Sequence, residues 1–253
     1  MIKTLHHEDV RELQLDRPPV NALDPALIQA LRQALAAARH DGVNGLVLSG
    51  AQARFSGGLD VPALLTLSRD ELRETWIDFF GLLSDLAHLP MPWAAALTGH
   101  SPAGGTVLAL YADHRIMAEG KYVIGLNEVQ VGLPVPEFLY QALTHVVGTR
   151  EAHRMAMTGI LIDPAEALRV HLVDHLAVGD QVIPQAVSWV QDVLKKPRKA
   201  MLQTRALARR PLHESFKLVS TTLINEIVDQ WFSEETQTTL KKLAARLGKV
   251  PAA

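Results

Sequence analysis

The sequence predicts an α/β domain with crossover connections that passes into an all-helical C-terminal region. Short apolar runs alternate with segments of helical periodicity over roughly the first 180 residues, the pattern of strands joined by crossover helices. From residue 183 onward only helical periodicity remains. Charge divides the chain in nearly the same place. Residues 195–253 hold 12 Lys/Arg against 5 Asp/Glu, a net +7, whereas residues 1–194 hold 13 against 22, a net −9. The expected division is therefore a core over residues 1–194 and a helical region over residues 195–253.

The elements follow in order. Residues 2–5 and 10–15 are half-apolar runs around a polar His6-His7-Glu8-Asp9, which predicts an antiparallel hairpin ending at Pro18-Pro19. Asp24-Pro25 supplies an N-cap and a first-turn proline for a helix through Leu27, Ile28, Leu31, Leu35 and Ala38, and residues 45–49 read as a buried strand. Ser68 with Glu71 is a capping box before a helix carrying Trp76, Phe79, Phe80, Leu83 and Leu86, and residues 93–97 form the next strand. Ser101-Pro102 is expected to open a helix reaching Leu110. Strands follow at 115–118 and 122–124, helices at 137–147 and 151–158, a helix capped by Asp163-Pro164, and a strand near 173–178. A single long helix is expected from Leu212 to about Leu247. Its apolar face (Phe216, Val219, Leu223, Ile227, Trp231) needs cover, either from the body of the chain or from another subunit.

Composition narrows the function. A 48% hydrophobic, 21% charged chain of 253 residues can build a substantial core. With no cysteine there is no disulfide, no thiolate nucleophile and no Cys-ligated metal, and a reducing compartment fits. A net charge of −2 offers no reason to seek nucleic acid. No apolar run approaches the length of a membrane span, residues 1–10 lack the apolar core of a signal peptide, and Pro251-Ala252-Ala253 is not a peroxisomal signal. The expectation is a soluble cytoplasmic protein.

Three segments carry chemistry: Arg54-Phe-Ser-Gly-Gly-Leu-Asp60, Thr98-Gly-His-Ser-Pro-Ala-Gly-Gly-Thr106 and Ile124-Gly-Leu-Asn-Glu-Val-Gln-Val-Gly132. A Gly-Gly pair alone is ordinarily just a turn. Two such pairs, each after an expected strand, point further. Gly104 falls in a first helical turn, where backbone N–H groups lack partners, and the Leu59 amide follows Gly57-Gly58. Two such amides aimed at one oxygen would form an oxyanion hole. Glu128 stands among Ile124, Leu126, Val129 and Val131, where burial would raise its pKa toward that of a general base; the alternative is a strand glutamate facing water. Ser101 resembles the nucleophile of an α/β-hydrolase elbow. The residue that would donate the oxyanion N–H there is Pro102, which has none, so an N-cap role is the stronger reading.

Taken together, these segments resemble the enoyl-CoA hydratase/isomerase (crotonase) superfamily over nearly the whole chain. Within it, the run ending in Asn127-Glu128 and the Pro102-Ala-Gly-Gly105 turn are similar to those of mitochondrial short-chain Δ3,Δ2-enoyl-CoA isomerases. The resemblance implies a crotonase (ClpP/crotonase-like) fold, a spiral of ββα units with a C-terminal helical trimerisation region, assembled as a homotrimer or dimer of trimers. It implies Glu128 as the catalytic carboxylate and the Leu59 and Gly104 amides as the oxyanion hole. Ala22, Gly57, Gly58, Asp60, Val61 and Asn127 would contact an acyl-CoA thioester. No cofactor or metal is implied, since coenzyme A is part of the substrate. The hydratases carry a second glutamate where this chain has Val107, and some relatives carry an acid where it has Pro136, with Glu137 one residue on. That pattern favours a one-carboxylate isomerisation within fatty acid oxidation over hydration or thioester hydrolysis.

Other candidates are weaker. His171 and His175 have a metal-ligand spacing only if helical, His100 adjoins the second glycine turn and could line the acyl pocket, and Lys195–Lys199 with Arg209-Arg210 could meet coenzyme A phosphates.

Overall fold

A computed structural model describes residues 1–248; Pro251-Ala252-Ala253 lies outside the described residues. The hairpin is β1 (Ile2–His7) and β2 (Val10–Leu15), paired from Ile2↔Leu15 to His7↔Val10. Asp24 caps α1 (Pro25–His40), accepting the Leu27 N–H at 2.8 Å. The chain continues through β3 (Gly45–Ser49), β4 (Ala53–Arg54), α2 (Val61–Leu64) and α3 (Arg69–Ala87), which opens on the reciprocal Ser68–Glu71 capping box. Next come β5 (Trp93–Leu97), β6 (Gly99–Pro102), α4 (Gly104–Ala109), β7 (His114–Ala118) and β8 (Ile124–Gly125). A 3-10 turn (Glu128–Val131) precedes α5 (Glu137–Thr158), α6 (Pro164–Arg169) and β9 (His175–Ala177). The C-terminal part holds α7 (Val182–Leu194), α8 (Arg198–Ala208), α9 (Arg210–Ser215), α10 (Thr221–Trp231) and α11 (Glu234–Leu247).

Two sheets organise the body. The larger has the order β1-β2-β3-β5-β7-β9, parallel beyond the hairpin, and the smaller is β4-β6-β8, also parallel. Strands β3, β5 and β7 of the large sheet thus each hand the chain to a short strand of the small sheet and then to helix: β3, β4, α3; β5, β6, α4; β7, β8, α5. Parallel pairing demands such crossovers, and three successive ones wind a spiral of ββα units. Helix α7 covers one face of the large sheet, its Val182, Ala186 and Val190 packing on Val47, Ala94, Ala96 and Ile116. Leu46, Leu48, Ala95 and Leu97 point the other way into the main core with α1 and α3. Because both faces are covered, β3 and β5 are buried throughout, which explains their unbroken apolar sequences.

Two expectations need correction. Ser101 does not open a helix: its N–H donates to Val123 O at 2.9 Å and it pairs with Ile124 in the small sheet, so the helix starts three residues later behind Ala103 (φ 48°). Sheet pairing outcompetes the capping preference. The two helices expected at 137–147 and 151–158 are present, as the two helical stretches of α5 on either side of the non-helical backbone of Gly148 (φ 76°, ψ 162°). The long helix expected from Leu212 is divided by Ser220 and Ser233, each of which caps a new helix by accepting a backbone N–H.

The apolar face of the C-terminal region is covered by the body of the chain. Leu212, Ile227, Trp231 and Leu240 belong to the same buried cluster as Trp76 and Phe79 of α3, with Phe216, Val219 and Leu223 packed at its edge. Arg209, 4% exposed, is committed to this docking. Its guanidinium donates to Asp113 Oδ1 (2.9 Å), Tyr111 O (2.7 Å) and Ala87 O (3.0 Å), which leaves it no access to a phosphate. Among the described residues no helix is long and apolar enough to cross a membrane.

Candidate active site

The first glycine turn is built between β4 and α2. Asn21, buried at φ 51°, donates from Nδ2 to Phe55 O (3.0 Å), and Ser56 Oγ donates to Asn21 O (2.8 Å), so the segment before α1 is laced to this turn. Leu23 and Leu59 then form a parallel bridge through Leu23 N–H to Gly58 O (2.8 Å) and Asp60 N–H to Leu23 O (3.0 Å). That register uses the amides on either side of Leu59 and leaves the Leu59 N–H without an acceptor among the described residues.

The second turn, between β6 and α4, presses directly on the first. A Cβ on Gly104 would meet Leu23 Cδ1 at 2.9 Å and Gly58 Cα at 3.3 Å, and one on Gly58 would meet Gly104 N at 3.2 Å. Gly58 also has φ +84°, a conformation other residues rarely adopt. Both glycines are therefore required by close approach of two backbones. Gly104 is the first residue of α4, so its N–H has no intrahelical acceptor, and none is found elsewhere among the described residues.

Glu128 opens the 3-10 turn after β8 instead of lying in a strand. Its residue neighbours only partly shield it, since Val129 is 37% exposed, yet its Oε2 is sealed from solvent without a hydrogen-bond partner. Burial pushes the carboxyl up to about 7, against a small opposing effect of its own backbone N–H. The turn is held from within and at its C-terminal end: Gln130 Nε2 donates to Gly159 O (2.8 Å) at the end of α5, and Thr236 Oγ1 donates to Gly132 O (2.8 Å) from α11.

Leu59, Gly104 and Glu128 line one cavity of ≈ 240 Å³, together with Gly57, Val61 and Asn127. Its other walls are apolar: Trp76 and Phe79 from α3, Leu139 from α5, Ile227 and Trp231 from α10, and Leu240 and Leu243 from α11. These wall residues carry no chemical signature in sequence; the α3 aromatics read simply as core. Val107 and Pro136 also face the cavity, so both positions where relatives place a further acid are apolar here.

Several candidates lie elsewhere. Asp60, expected at the substrate, instead accepts the Ala63 N–H (3.1 Å) as the cap of α2 and pairs with Arg17 (2.8 Å), which also holds Asp24 (2.9 Å). Gly58 serves the packing of the two turns, and the Ala22 carbonyl accepts from Arg17 (3.1 Å); neither lines the cavity. Ser101 is fully buried in β6 with its Oγ donating to Gly99 O (3.0 Å), a position unsuited to a nucleophile. His100 packs edge-on to Tyr122 outside the cavity, its pKa lowered by burial and by Arg54. Glu137 is exposed in the first turn of α5, with Oε1 accepting from Gln141 (3.2 Å). His171 occupies a left-handed turn (φ 62°) and His175 begins β9, so no helix face joins them.

A spiral of ββα units whose two glycine turns and single buried carboxylate face one apolar cavity defines a crotonase-type protein. The family model described as enoyl-CoA hydratase/isomerase matches residues 6–242. The chain is 33% identical over 213 residues to the mouse protein named enoyl-CoA delta isomerase 1, mitochondrial, covering 83% of this chain and 74% of that one. It is equally 33% identical over 198 residues to a probable enoyl-CoA hydratase of Mycobacterium avium, covering 77% and 76%. The crystal structure of human mitochondrial delta3-delta2-enoyl-CoA isomerase superposes with a TM-score of 0.93 at 28% identity, covering 98% of both chains. This chain belongs to the enoyl-CoA hydratase/isomerase family and has the crotonase fold.

Proposed function

We propose that the protein isomerises 3-enoyl-CoA to trans-2-enoyl-CoA, a step in the oxidation of unsaturated fatty acids. The observation that carries this reading is the cavity's acid inventory: Glu128 is its one carboxylate among the described residues, with Val107 and Pro136 where a second would stand. Adding water to a double bond calls for activating water and protonating carbon, which hydratases of this superfamily divide between two carboxylates. A 1,3-proton shift needs one.

In this mechanism the Glu128 carboxylate takes a proton from C2 of the acyl thioester. The C2–H electrons form the C2–C1 double bond of a dienolate, and the negative charge gathers on the thioester oxygen. The Leu59 and Gly104 amides hold that oxygen, each donor contributing about 3 kcal/mol by comparison with measured oxyanion sites. The Glu128 carboxyl then returns the proton to C4 as the double bond settles between C2 and C3. An unpartnered Oε2 with a raised pKa suits both halves of the cycle, because it neither gives up basicity to a donor nor holds the proton too weakly to carry it.

Coenzyme A is the substrate's handle, and the reaction as written uses no further cofactor. Homotrimeric assembly, or a dimer of trimers, belongs to the same proposal on the strength of the family resemblance, and light scattering tests it. A cytoplasmic location, supported by the cysteine-free composition, is tested by fractionation. The deciding experiment assays 3-enoyl-CoA against 2-enoyl-CoA with wild type and Glu128→Gln. Isomerisation by wild type, lost in E128Q with acyl-CoA binding retained, is the expected result. Near-normal isomerisation by E128Q would overturn the choice of base, and faster hydration of 2-enoyl-CoA than isomerisation would overturn the reaction.

A further inference from the structure

The turn that carries Glu128 has little to hold it in place. It is four residues long, none of them is buried as a whole although Glu128 Oε2 is sealed from solvent, and 3-10 geometry is weaker than that of an α-helix. Placement of the carboxylate must therefore come from what grips the turn at its ends. One grip comes from the corner between α10 and α11, whose residues lie 98 and 104 positions from Gly132 in sequence.

At that corner Thr236 is 0% exposed and its hydroxyl is fully used. Oγ1 donates to Gly132 O (2.8 Å) and accepts from Gln230 Nε2 (3.3 Å) and from Ser233 Oγ (3.1 Å). Gln230 Nε2 also donates to Gly132 O (3.1 Å), so that carbonyl receives two side-chain donors. Gly132 ends the Glu128 turn in a left-handed conformation (φ 80°), and its own N–H points back at Glu128 O and Val129 O. Contact is close enough that a Cβ on Gly132 would stand 3.0 Å from Thr236 Oγ1 and 3.2 Å from Thr236 Cα. The same corner starts the helix whose Leu240 and Leu243 wall the cavity.

We infer that Thr236 and Gln230 are positioning residues for catalysis: by clasping the Gly132 carbonyl they set the place of the Glu128 carboxylate, so that docking of the C-terminal helices completes the catalytic geometry as well as the cavity wall. The inference rests on Glu128 being the base. A saturated network of this kind resists partial loosening, because each bond polarises the next, and loss of one leaves a half-buried carbonyl short of a donor. Small displacements of a reacting group are costly: a shift of about 1 Å can lower turnover about 100-fold.

The test compares Thr236→Val, which keeps the shape and removes the hydroxyl, with Thr236→Ser, which keeps the hydroxyl, and with Gln230→Leu and E128Q in one isomerase assay. T236V is expected to lower kcat about 10- to 100-fold with KM changed far less. The midpoint of its kcat/KM–pH profile should fall below that of wild type as water reaches the loosened turn. T236S should recover most of the lost turnover and Q230L should fall between. Loss of stability alone would lower the active fraction without moving the pH midpoint, so melting temperatures are measured alongside. If T236V keeps the wild-type kcat and midpoint while E128Q is inactive, the clasp has no positioning role and the inference is overturned. Should T236V fail to fold, the same two readouts on Q230L decide it. Activity in E128Q would overturn the underlying reading instead, which separates the two failures.

Discussion

Glu128 is a carboxylate whose environment is worth more than its neighbours suggest. Alternating apolar residues around it point to a buried acid, but Val129 turns outward; Glu128 Oε2 is nonetheless sealed from solvent, and the residue lines a cavity whose other walls come largely from α3, α10 and α11. Raising a carboxyl from 4.5 to about 7 means that the fold disfavours its charged form. Below pH 4.5 both folded and unfolded chains carry the proton and the group is neutral to stability. Between 4.5 and 7 the unfolded chain alone releases it, so wild-type stability falls as pH rises, and above 7 the cost is constant. E128Q should accordingly be more stable than wild type at pH 8 by up to about 3 kcal/mol, with the difference vanishing at pH 4, as read from denaturant unfolding at both values. With Glu128 as the proposed base, wild-type kcat/KM should rise through pH 7 and level off above it, since that carboxyl must be ionised to take a proton. A kinetic midpoint near 4.5 would mean that the carboxylate is solvated.

Elements were legible where their signals are local. The Asp24, Ser68 and Asp163 caps, each within three residues of the N–H it accepts, start helices where the sequence places them. Ser101 misled because a cap competes with whatever else the backbone can pair with, and β8 offered a parallel partner that no local pattern reveals. Ser220 and Ser233 were caps of the same kind hidden inside continuous apolar periodicity. The capping box of α3 can be weighed separately from function, since Ser68 is exposed and outside the cavity. Ser68→Ala should cost about 1 kcal/mol in urea unfolding and leave turnover unchanged. A fall in kcat at full stability would instead tie that helix end to the site.

At the scale of the molecule, charge and core tell different stories. The basic C-terminal region reads as a separate segment, yet its apolar face completes the core of the body, and its buried Arg209 and half-buried Arg205 are part of the joint. Asp113 accepts from Arg205 Nε (2.8 Å) and Arg209 Nη1 (2.9 Å), while Arg209 also satisfies carbonyls of α3 and of the chain after α4. Desolvation lowers the Arg209 pKa to about 10 despite the Asp113 carboxylate beside it. Removing the one acid leaves a buried guanidinium uncompensated. Asp113→Ala should therefore cost about 3 kcal/mol or more, seen as a drop in melting temperature within a single transition. Two separate transitions would show that the C-terminal helices unfold independently of the body.

By itself the sequence determined the alternation of strands and helices, most of the helix starts, the two glycine turns and the Glu128 segment that follows them, because periodicity, caps and turn residues act over a few positions. Only the tertiary structure decided that Gly58 and Gly104 touch, that Leu59, Gly104 and Glu128 line one cavity, and that α10 and α11 grip the turn bearing the acid. Those relations join residues from Gly57 to Thr236. They arise when two sheets and a set of helices pack at van der Waals distance, and no pattern within one segment records what will arrive from another.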